Sequence, residues 1–412
     1  MSSRVLALDH GEGMVATIIR EYEEGRDRDA VEKLDKLCEF GSASDGNPSI
    51  LTDLMGDPIA RVRHYPSYVV LVAEIEEDEM TMRKKKEIVG VVSGCIKSVS
   101  KGSNPNTNLP TYVQVAYILG LRVSPFHRRQ GVAKKLVTEL EEWCKRRGAQ
   151  YAYMATDSTN QASINLFTLK CAYTKLRTPT VLVNPVHAHH KPIDSRVRIV
   201  RLEPQLAEFV YRHRVFGANS EFFPKDINTI LSSKLNLGTY MAVPSTQSEL
   251  DPLSFPPSFA ILSVWNTKDV FKLQVKGVTG LSYAVCVGSR VLDTWLPWLR
   301  IPSIPDVFSP FGVYFLYGLH VEGSGGPALM KSLCAFVHNM AGDDVGCGAV
   351  VAEVDRMDEM KHDWVPHWRR FSWTDLWCVK KLTAEDQVEC VEDDWVESRP
   401  SRTSVFTDPR DF

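Results

Sequence analysis

The sequence predicts a mixed α/β protein in which a central sheet is flanked by helices and the whole arrangement occurs twice. Short apolar runs rich in β-branched residues alternate with segments whose apolar residues recur at helical spacing, an order typical of helices packed over a sheet. The second half of the chain then repeats this order. A length of 412 residues is also too great for one ordinary core, so two or three domains are expected.

The first half, residues 14–183, supplies most of the predicted elements. Strands are expected where runs of Val, Ile and aromatic residues are bounded by clusters of Gly, Pro and Asn, and helices where the apolar period is close to 3.6. In chain order, the predicted elements are strand 15–22, helix 29–39, strands 67–75, 88–99 and 113–123, helix 132–147, strand 151–157, helix 161–170 and strand 173–183.

The second half, residues 196–382, follows a similar course. "YGLHVEGSGGPALM" parallels "LGLRVSPFHRRQGVAKKL", and "GAVVAEVD" follows it as "YAYMATD" follows the first. Prolines and histidines break the periodicity over residues 184–195, where a linker is expected, and the "HAHH" there has no standard metal spacing. An N-terminal extension, 1–13, and a tail, 383–412, complete the predicted organisation. The tail is acidic and then Ser/Arg/Pro-rich, so it is expected to lie on the surface or to be partly disordered.

Composition and charge argue against several classes of protein. A net charge of −3 gives no strong signal for nucleic-acid binding, and no apolar run approaches the roughly twenty residues that cross a bilayer. Nine cysteines without a CxxC pair fit a reducing compartment. The N-terminal residues lack the apolar core of a secretory signal. We therefore expect an intracellular protein of the cytoplasm, the nucleus or both, without a membrane partner.

A basic loop with one glycine, "SPFHRRQGVAKK", joins a predicted strand to an amphipathic helix. The first turn of a helix presents unpaired backbone N–H groups, and the helix dipole adds positive potential there. Gly131 leaves the backbone open, Ala133 keeps the next turn small, and Arg128 and Arg129 add positive charge. This pattern predicts a pyrophosphate or polyphosphate site, with a solvated turn as the alternative. Neither GxxxxGK[ST] nor GxGxxG occurs.

The spacing Arg128-x-x-Gly131-x-Ala133 resembles the R/Q-x-x-G-x-G/A element of the GNAT superfamily of acyl-CoA N-acyltransferases. "NQASINLFTLKCAY", one strand later, resembles a second element of that family, and the likeness covers residues 14–183. Over the whole chain, segments such as "LTDLMGDPIARVRHYPSYVVLVAE" are similar to the plant hookless-type N-acetyltransferases. The resemblance implies tandem GNAT-like domains, each a mixed central sheet flanked by helices, and acetyl-CoA as the co-substrate.

The resemblance also implies which residues hold the co-substrate. Backbone amides of the loop would bind the pyrophosphate, Asn160 would contact the pantetheine arm, and Phe167 would pack beside the thioester. The residues implied for acyl-CoA binding are Leu121, Val123, Arg128, Arg129, Gln130, Gly131, Val132, Ala133, Lys134, Asn160 and Phe167.

The catalytic residues are less well marked, because the sequence departs from the family pattern at two positions. Many GNAT members carry a carboxylate base on the strand before the loop, but no Asp or Glu lies between Glu87 and Glu139. The tyrosine that serves as the family's acid is replaced by Phe167. The candidate catalytic residues are Tyr117, Asp157 and Tyr173, with strand packing, a helix N-cap and core packing as the respective alternatives.

The second glycine loop, "EGSGGPALM", has no arginine. It is predicted to be a degenerate copy that lines the acceptor side, with a second nucleotide-type site as the alternative. The predicted function is an acyl-CoA-dependent N-acyltransferase that moves acetyl from acetyl-CoA to an amine of a small molecule or of a protein lysine or N-terminus. The hookless-type resemblance implies a role in hormone-linked differential growth of a plant. A non-catalytic acyl-CoA-sensing or scaffold regulator on the same tandem fold is the alternative.

Overall fold

The computed structural model describes residues 17–40, 49–77, 85–103, 109–217, 220–246, 256–277, 279–299, 303, 305–355, 363–383 and 404–412. The first half contains β1 (Thr17–Glu21), α1 (Glu24–Phe40), β2 (Ser49–Asp53), β3 (Ser67–Glu77), β4 (Lys85–Ser103), β5 (Pro110–Val123), α2 (Val132–Arg146), β6 (Tyr151–Asp157), α3 (Gln161–Asn165) with a π-helical turn (Leu166–Lys170), β7 (Thr174–Arg177) and β8 (Thr180–Pro185). The second half contains β9 (Val197–Leu202), α4 (Pro204–Val210) with a π-helical turn (Tyr211–Val215), β10 (Glu221–Pro224), α5 (Ile227–Leu231), β11 (Asn236–Pro244), β12 (Phe259–Asn266), β13 (Lys272–Lys276), α6 (Gly280–Trp295), β14 (Gly312–Glu322), α7 (Gly326–Gly342), β15 (Cys347–Val354) and β16 (Trp373–Lys381).

The predicted mixed α/β class is confirmed, and β5, α2 and β6 begin and end within three residues of their predicted bounds. The predicted N-terminal extension lies outside the described residues. None of the helices within the described ranges is both long and apolar enough to cross a bilayer.

Helix α2 packs against the sheet over two glycines of β4. Its apolar face includes the fully buried Leu136 and Leu140, which lie over β4. There β4 carries Gly90 and Gly94, and a Cβ on these glycines would lie 2.9 and 2.7 Å from the side chains of Leu136 and Leu140, respectively. The two glycines therefore let the helix approach the strand, which fixes the start of α2 over the end of β5.

Fourteen strands of the described residues form one sheet, whose main path runs β1-β3-β4-β5-β6-β16-β8-β15-β14-β12-β11-β9. Outside this path, β10 pairs with β4, β7 pairs with β16, and β2 and β13 form a separate two-stranded sheet. The path has the same order from either end when β1 is matched with β9, β3 with β11, β4 with β12, β5 with β14 and β6 with β15. The sheet therefore contains the repeat that the sequence predicted.

The two halves exchange strands at the middle of this sheet. β16, from the second half, pairs antiparallel with β6 from Asp375↔Asp157 to Lys381↔Tyr151. β8, from the first half, pairs antiparallel with β15. Each half thus completes its sheet with a strand of the other half. The domain limits at residues 183 and 196 remain a predicted division of the sequence, since the sheet itself is continuous across them.

Each half also contains a gap between its two parallel strands. β5 and β6 pair from Val115↔Tyr151 to Ile118↔Met154 and then separate. β14 and β15 pair as far as Leu316↔Ala352 and then separate. Both strands that lead to a glycine loop carry a left-handed glycine just beyond the pairing, Gly120 at φ 65° and Gly318 at φ 64°. A glycine takes this conformation without strain, so both strands can turn away from their neighbours.

Residues 404–412, called the C-terminal segment below, are packed inside the protein. Phe406 and Asp408 are each 1% exposed, and Arg410 and Asp411 are also buried. The prediction of a surface or disordered tail is therefore wrong for these residues. The segment crosses from the second half, where Arg410 contacts Asp226 (2.7 Å), to the first half, where Asp411 contacts Lys97 (2.7 Å).

Candidate functional site

The loop between β5 and α2 has the backbone geometry of an anion site. Gly131 precedes the helix with φ 82°, and no side chain caps the first turn. The helical hydrogen-bond series starts with the N–H of Lys135, which donates to the carbonyl of Gly131 at 3.0 Å. The N–H groups of residues 132–134 therefore lie in the turn that has no earlier carbonyl in the helix to bind. Arg129 also has a positive φ, 65°, a conformation that is uncommon outside glycine and is often found at binding sites.

Open space surrounds Gly131, in contrast to the glycines of the second loop. A Cβ on Gly131 would meet no atom within 4 Å. In the second loop, a Cβ on Gly323 would run into Ser258, and one on Gly326 would run into Val321. These second-loop glycines serve close packing of the protein, whereas Gly131 leaves an unobstructed surface at a helix N-terminus.

Side chains around the first loop add positive charge. Arg128, Arg129 and Lys134 are exposed, and the first turn of α2 contains no acidic residue. Gln130 donates from Nε2 to the carbonyl of Phe126 at 3.4 Å, within the same loop. A polyanion on this surface would meet helix amides, the positive end of the helix dipole and cationic side chains together.

The other residues predicted to bind acyl-CoA lie on both sides of the gap between β5 and β6. Leu121 and Val123 are partly buried at the end of β5. Asn160 caps α3, since its side chain accepts a hydrogen bond from the N–H of Ser163 at 3.2 Å. Phe167, 2% exposed, lies in the π-helical turn with its ring against Tyr173. The loop, the strand end and α3 thus surround one gap, and the role of each residue there stays a prediction.

Comparison with known proteins assigns this arrangement to a family. The model of the acetyltransferase (GNAT) family matches residues 33–173. The chain is 47% identical over 416 residues to "Probable N-acetyltransferase HLS1" of Arabidopsis thaliana, with 96% of this chain and 100% of that protein covered. It is 39% identical over 426 residues to "Acetyl transferase GW6a" of Oryza sativa subsp. japonica, with 96% and 97% covered. The chain belongs to the GNAT acetyltransferase family.

Solved structures share the fold at low sequence identity. A GCN5-related glucosamine N-acetyltransferase region of a fungal multi-domain β-N-acetylglucosaminidase aligns with a TM-score of 0.53 at 15% identity; this chain spans 39% of that longer chain, and 90% of this chain is covered. N-myristoyltransferase of Saccharomyces cerevisiae with bound myristoyl-CoA aligns with a TM-score of 0.53 at 9% identity, with 92% and 81% covered. These likenesses show the fold alone. Family membership makes acyl-CoA the co-substrate of this GNAT acetyltransferase.

Tyr117, the candidate on β5, is packed against the C-terminal segment. Its hydroxyl donates to the backbone carbonyl of Asp411 at 3.2 Å, and its ring stacks on Tyr153 with centroids 4.8 Å apart. Burial raises the pKa of the Tyr117 hydroxyl far above its ordinary value. A proton relay through Tyr117 would therefore require this hydrogen bond to be exchanged for one to substrate or water.

The structure does not bring the three catalytic candidates together. Asp157 is exposed, and its Oδ1 accepts from the N–H and the hydroxyl of Thr159 at 2.7 and 2.6 Å in the turn before α3. The helix N-cap weighed as its alternative is wrong, because Asn160 occupies that position. Tyr173 lies in the apolar cluster under α2, on the opposite face of the sheet from Tyr117. Burial, and after it the neighbouring Glu141, raise the pKa of Tyr173 well above its ordinary value.

Two acidic residues of the second half were missed by the sequence analysis. Asp375 lies on the exchanged strand β16, opposite Asp157. Burial, and after it the Asp157 carboxylate, raise the pKa of Asp375 to about 6. Glu353 stands in "GAVVAEVD" on β15, next to the second gap. A single charged residue inside an apolar strand was the signal that could have identified Glu353.

Proposed function

We propose that this GNAT protein transfers the acetyl group of acetyl-CoA to a primary amine, either of a protein, at a lysine or N-terminus, or of a small molecule. The main support for this proposal is Gly131 at the start of α2, where no protein atom obstructs the approach of a ligand. The resemblance to hookless-type proteins supports a role for this activity in hormone-linked differential growth of a plant.

The contrast between the two glycine loops supports one acyl-CoA site per chain. A pyrophosphate needs backbone amides that it can approach closely, and Gly131 permits that approach. Gly323 and Gly326 are covered by protein atoms, so the second loop does not offer the same surface. The second half then serves a different purpose, which is consistent with a degenerate copy beside the acceptor.

The change Gly131→Glu tests the proposed site. The new side chain adds bulk and negative charge where the pyrophosphate would lie, and each charge-assisted hydrogen bond lost costs about 1.5–3 kcal/mol. Loss of two such bonds predicts an affinity for acetyl-CoA reduced about 100-fold or more, measured by titration calorimetry. Arg128→Ala removes one exposed contact and should cost about tenfold.

Gly148→Glu is the matched control. Gly148 lies just beyond the other end of α2, with φ 84°, and a Cβ there would also meet no atom within 4 Å. It therefore carries the same backbone strain without the anion site. Gly325→Glu tests the second loop, because a Cβ there would make only an ordinary contact with Ser258 at 3.7 Å. Equal losses of affinity for Gly131→Glu and either control would show that the site is misplaced.

An acyl-CoA-binding regulator without transferase activity is the second candidate. It is favoured by the separation of the three catalytic candidates and by the engagement of the Tyr117 hydroxyl with Asp411. Release of free CoA thiol from acetyl-CoA, measured with and without lysine peptides, polyamines and peptides with free N-termini, separates the two functions. Acetyl-CoA binding with no amine-dependent thiol release would favour the regulator.

A further inference from the structure

Helix α6 exposes an apolar surface to solvent. The side chains of this surface, called the α6 patch below, lie on α6 and on the short 3₁₀ turn that follows it (Pro297–Leu299), and each is between 47% and 77% exposed. They are Leu281, Val285, Val291, Leu292, Trp295, Trp298 and Leu299. Single exposed apolar residues are ordinary, but a contiguous group of this kind marks an interaction surface.

The polar side of α6 holds the helix to the rest of the protein. Asp293 is only 6% exposed; one carboxylate oxygen lies 2.6 Å from His189 Nε2, and the other accepts from the hydroxyl of Ser303 at 3.0 Å. Arg290 pairs with Asp306 at 3.2 Å. A surface helix normally buries its apolar side and exposes its charged side, and α6 has the reverse orientation. Both charged residues of α6 are thus paired within the chain, and its apolar side is left for a partner.

The exposed side of α6 has the spacing of a helix that packs against another helix. One stripe contains residues at intervals of four, three, four and three: Leu281, Val285, Gly288, Leu292 and Trp295. These are the intervals of the core positions in a pair of packed helices. A Cβ on Gly288 would meet no atom within 4 Å, so open backbone lies at the middle of the stripe. A second helix can therefore approach closely at Gly288, while the larger side chains pack on either side.

The area of the α6 patch is that of a stable interface. Trp295 and Trp298 are 76% and 71% exposed, and they contribute roughly 300 Å², since a buried aromatic side chain covers about 150–250 Å². With its five aliphatic side chains, the patch presents roughly 800 Å², which is about the area that each partner of a standard-size interface buries. The largest apolar patch of a typical monomer is smaller, about 300–600 Å².

The stripe is also complementary to itself. Leu281 and Trp295 lie seven residues on either side of Gly288, and Val285 and Val291 lie three residues on either side. In an antiparallel pair of α6 helices that cross at Gly288, Leu281 of one copy lies opposite Trp295 of the other. Val285 lies opposite Val291 in the same way. No charged side chain belongs to the patch, so pairing buries none, whereas helices that lie on membranes carry Lys or Arg beside their apolar side.

We propose that the α6 patch binds a second copy of this chain, and that the protein is a two-fold symmetric dimer with antiparallel α6 helices at its interface. Pairing removes both patches from water, and this burial of apolar surface drives the association. The proposal goes beyond the proposed acyl transfer and does not depend on it, because it rests on the exposed side of α6 alone.

Analytical ultracentrifugation of the full-length protein tests the proposal. Interfaces of this size have Kd values in the micromolar range or tighter, so the wild type should sediment as a dimer at roughly 50 µM. Leu292→Lys places a charge within the interface, where loss of a central contact weakens binding about 30-fold or more. This variant should therefore be a monomer at a concentration at which the wild type is a dimer. A short bismaleimide should cross-link Gly288→Cys to a dimer to a greater extent than the wild type.

Val345→Lys is the matched control, because Val345 is 95% exposed and lies between α7 and β15, outside the α6 patch. It should leave the dimer unchanged. A wild type that stays monomeric, whether or not it binds phosphatidylcholine vesicles, would overturn the proposal, and so would a dimer retained by Leu292→Lys. Should Leu292→Lys lose its far-UV circular dichroism, the Gly288→Cys cross-link decides, and its absence would equally overturn the proposal.

Discussion

Replacement of Lys97 by Met should destabilise the whole protein, because it leaves the buried Asp411 carboxylate without its cation. The Lys97 side chain is fully buried, and its Nζ lies 2.7 and 2.8 Å from the two carboxylate oxygens of Asp411 and 3.1 Å from Asp408. Burial alone would lower the pKa of Lys97, but Asp408 and Asp411 raise it above its ordinary value. Removal of one partner from a buried ion pair costs about 3–5 kcal/mol. Asp408 keeps its ion pair with Arg410 (2.8 Å), so the loss falls mainly on Asp411.

Urea unfolding followed by tryptophan fluorescence measures this loss. Lys145→Met is the control, because Lys145 pairs with Glu142 on the exposed face of α2, where an ion pair contributes about 0.2–1 kcal/mol. A double change, Lys97→Met with Asp411→Asn, should recover part of the stability, because it removes the carboxylate charge that has lost its cation. A loss below about 1 kcal/mol in Lys97→Met would refute the buried position of the C-terminal segment.

Three further predictions concern single residues. The stability of the Glu353→Gln variant relative to the wild type should increase as the pH of the urea titration rises from about 4 to 8. Folding raises the pKa of the Glu353 carboxyl, so the wild-type protein loses stability as the pH rises above the unfolded pKa of that group. The variant has no carboxyl at this position and does not lose that stability. A constant difference would contradict the raised pKa. Gly94→Ala should cost about 1–3 kcal/mol, since its Cβ would lie 2.7 Å from Leu140, and an unchanged urea midpoint would show that α2 can move. Tyr117→Phe should cost about 0.5–1.5 kcal/mol through the bond to Asp411; if its role is packing, thiol release falls less than tenfold, and a larger fall would make it a catalytic relay.

Local patterns predicted the elements around the glycine loop well. β6 has the predicted bounds, and α2 begins at the predicted Val132, because the change of period and the single Gly131 mark the boundary within a few residues. The repeat could also be predicted from the sequence, because both halves have a Gly-Leu-x-Val strand end followed by a glycine loop.

Long-range partners explain what could not be predicted. The composition of residues 404–412 is typical of a surface segment, and their burial depends on Lys97, Tyr65 and Tyr153, more than 200 residues away. The exchange of β8 and β16 leaves no local mark, because an exchanged strand has the same apolar pattern as one that stays in its own half.

The exchanged strand also sets an order for synthesis. β16 lies at the centre of the sheet, but more than 200 residues of chain separate it from its partner β6. At about 5–20 residues per second, β6 waits roughly 10–40 s on the ribosome with an open edge. An open edge of this kind is a template for pairing with other chains. Residues 1–185 expressed alone should therefore aggregate, and their recovery as a soluble monomer would contradict this. If the two halves arose by gene duplication and fusion, neither half could later be lost, because its removal would leave a strand edge of the other half unpaired.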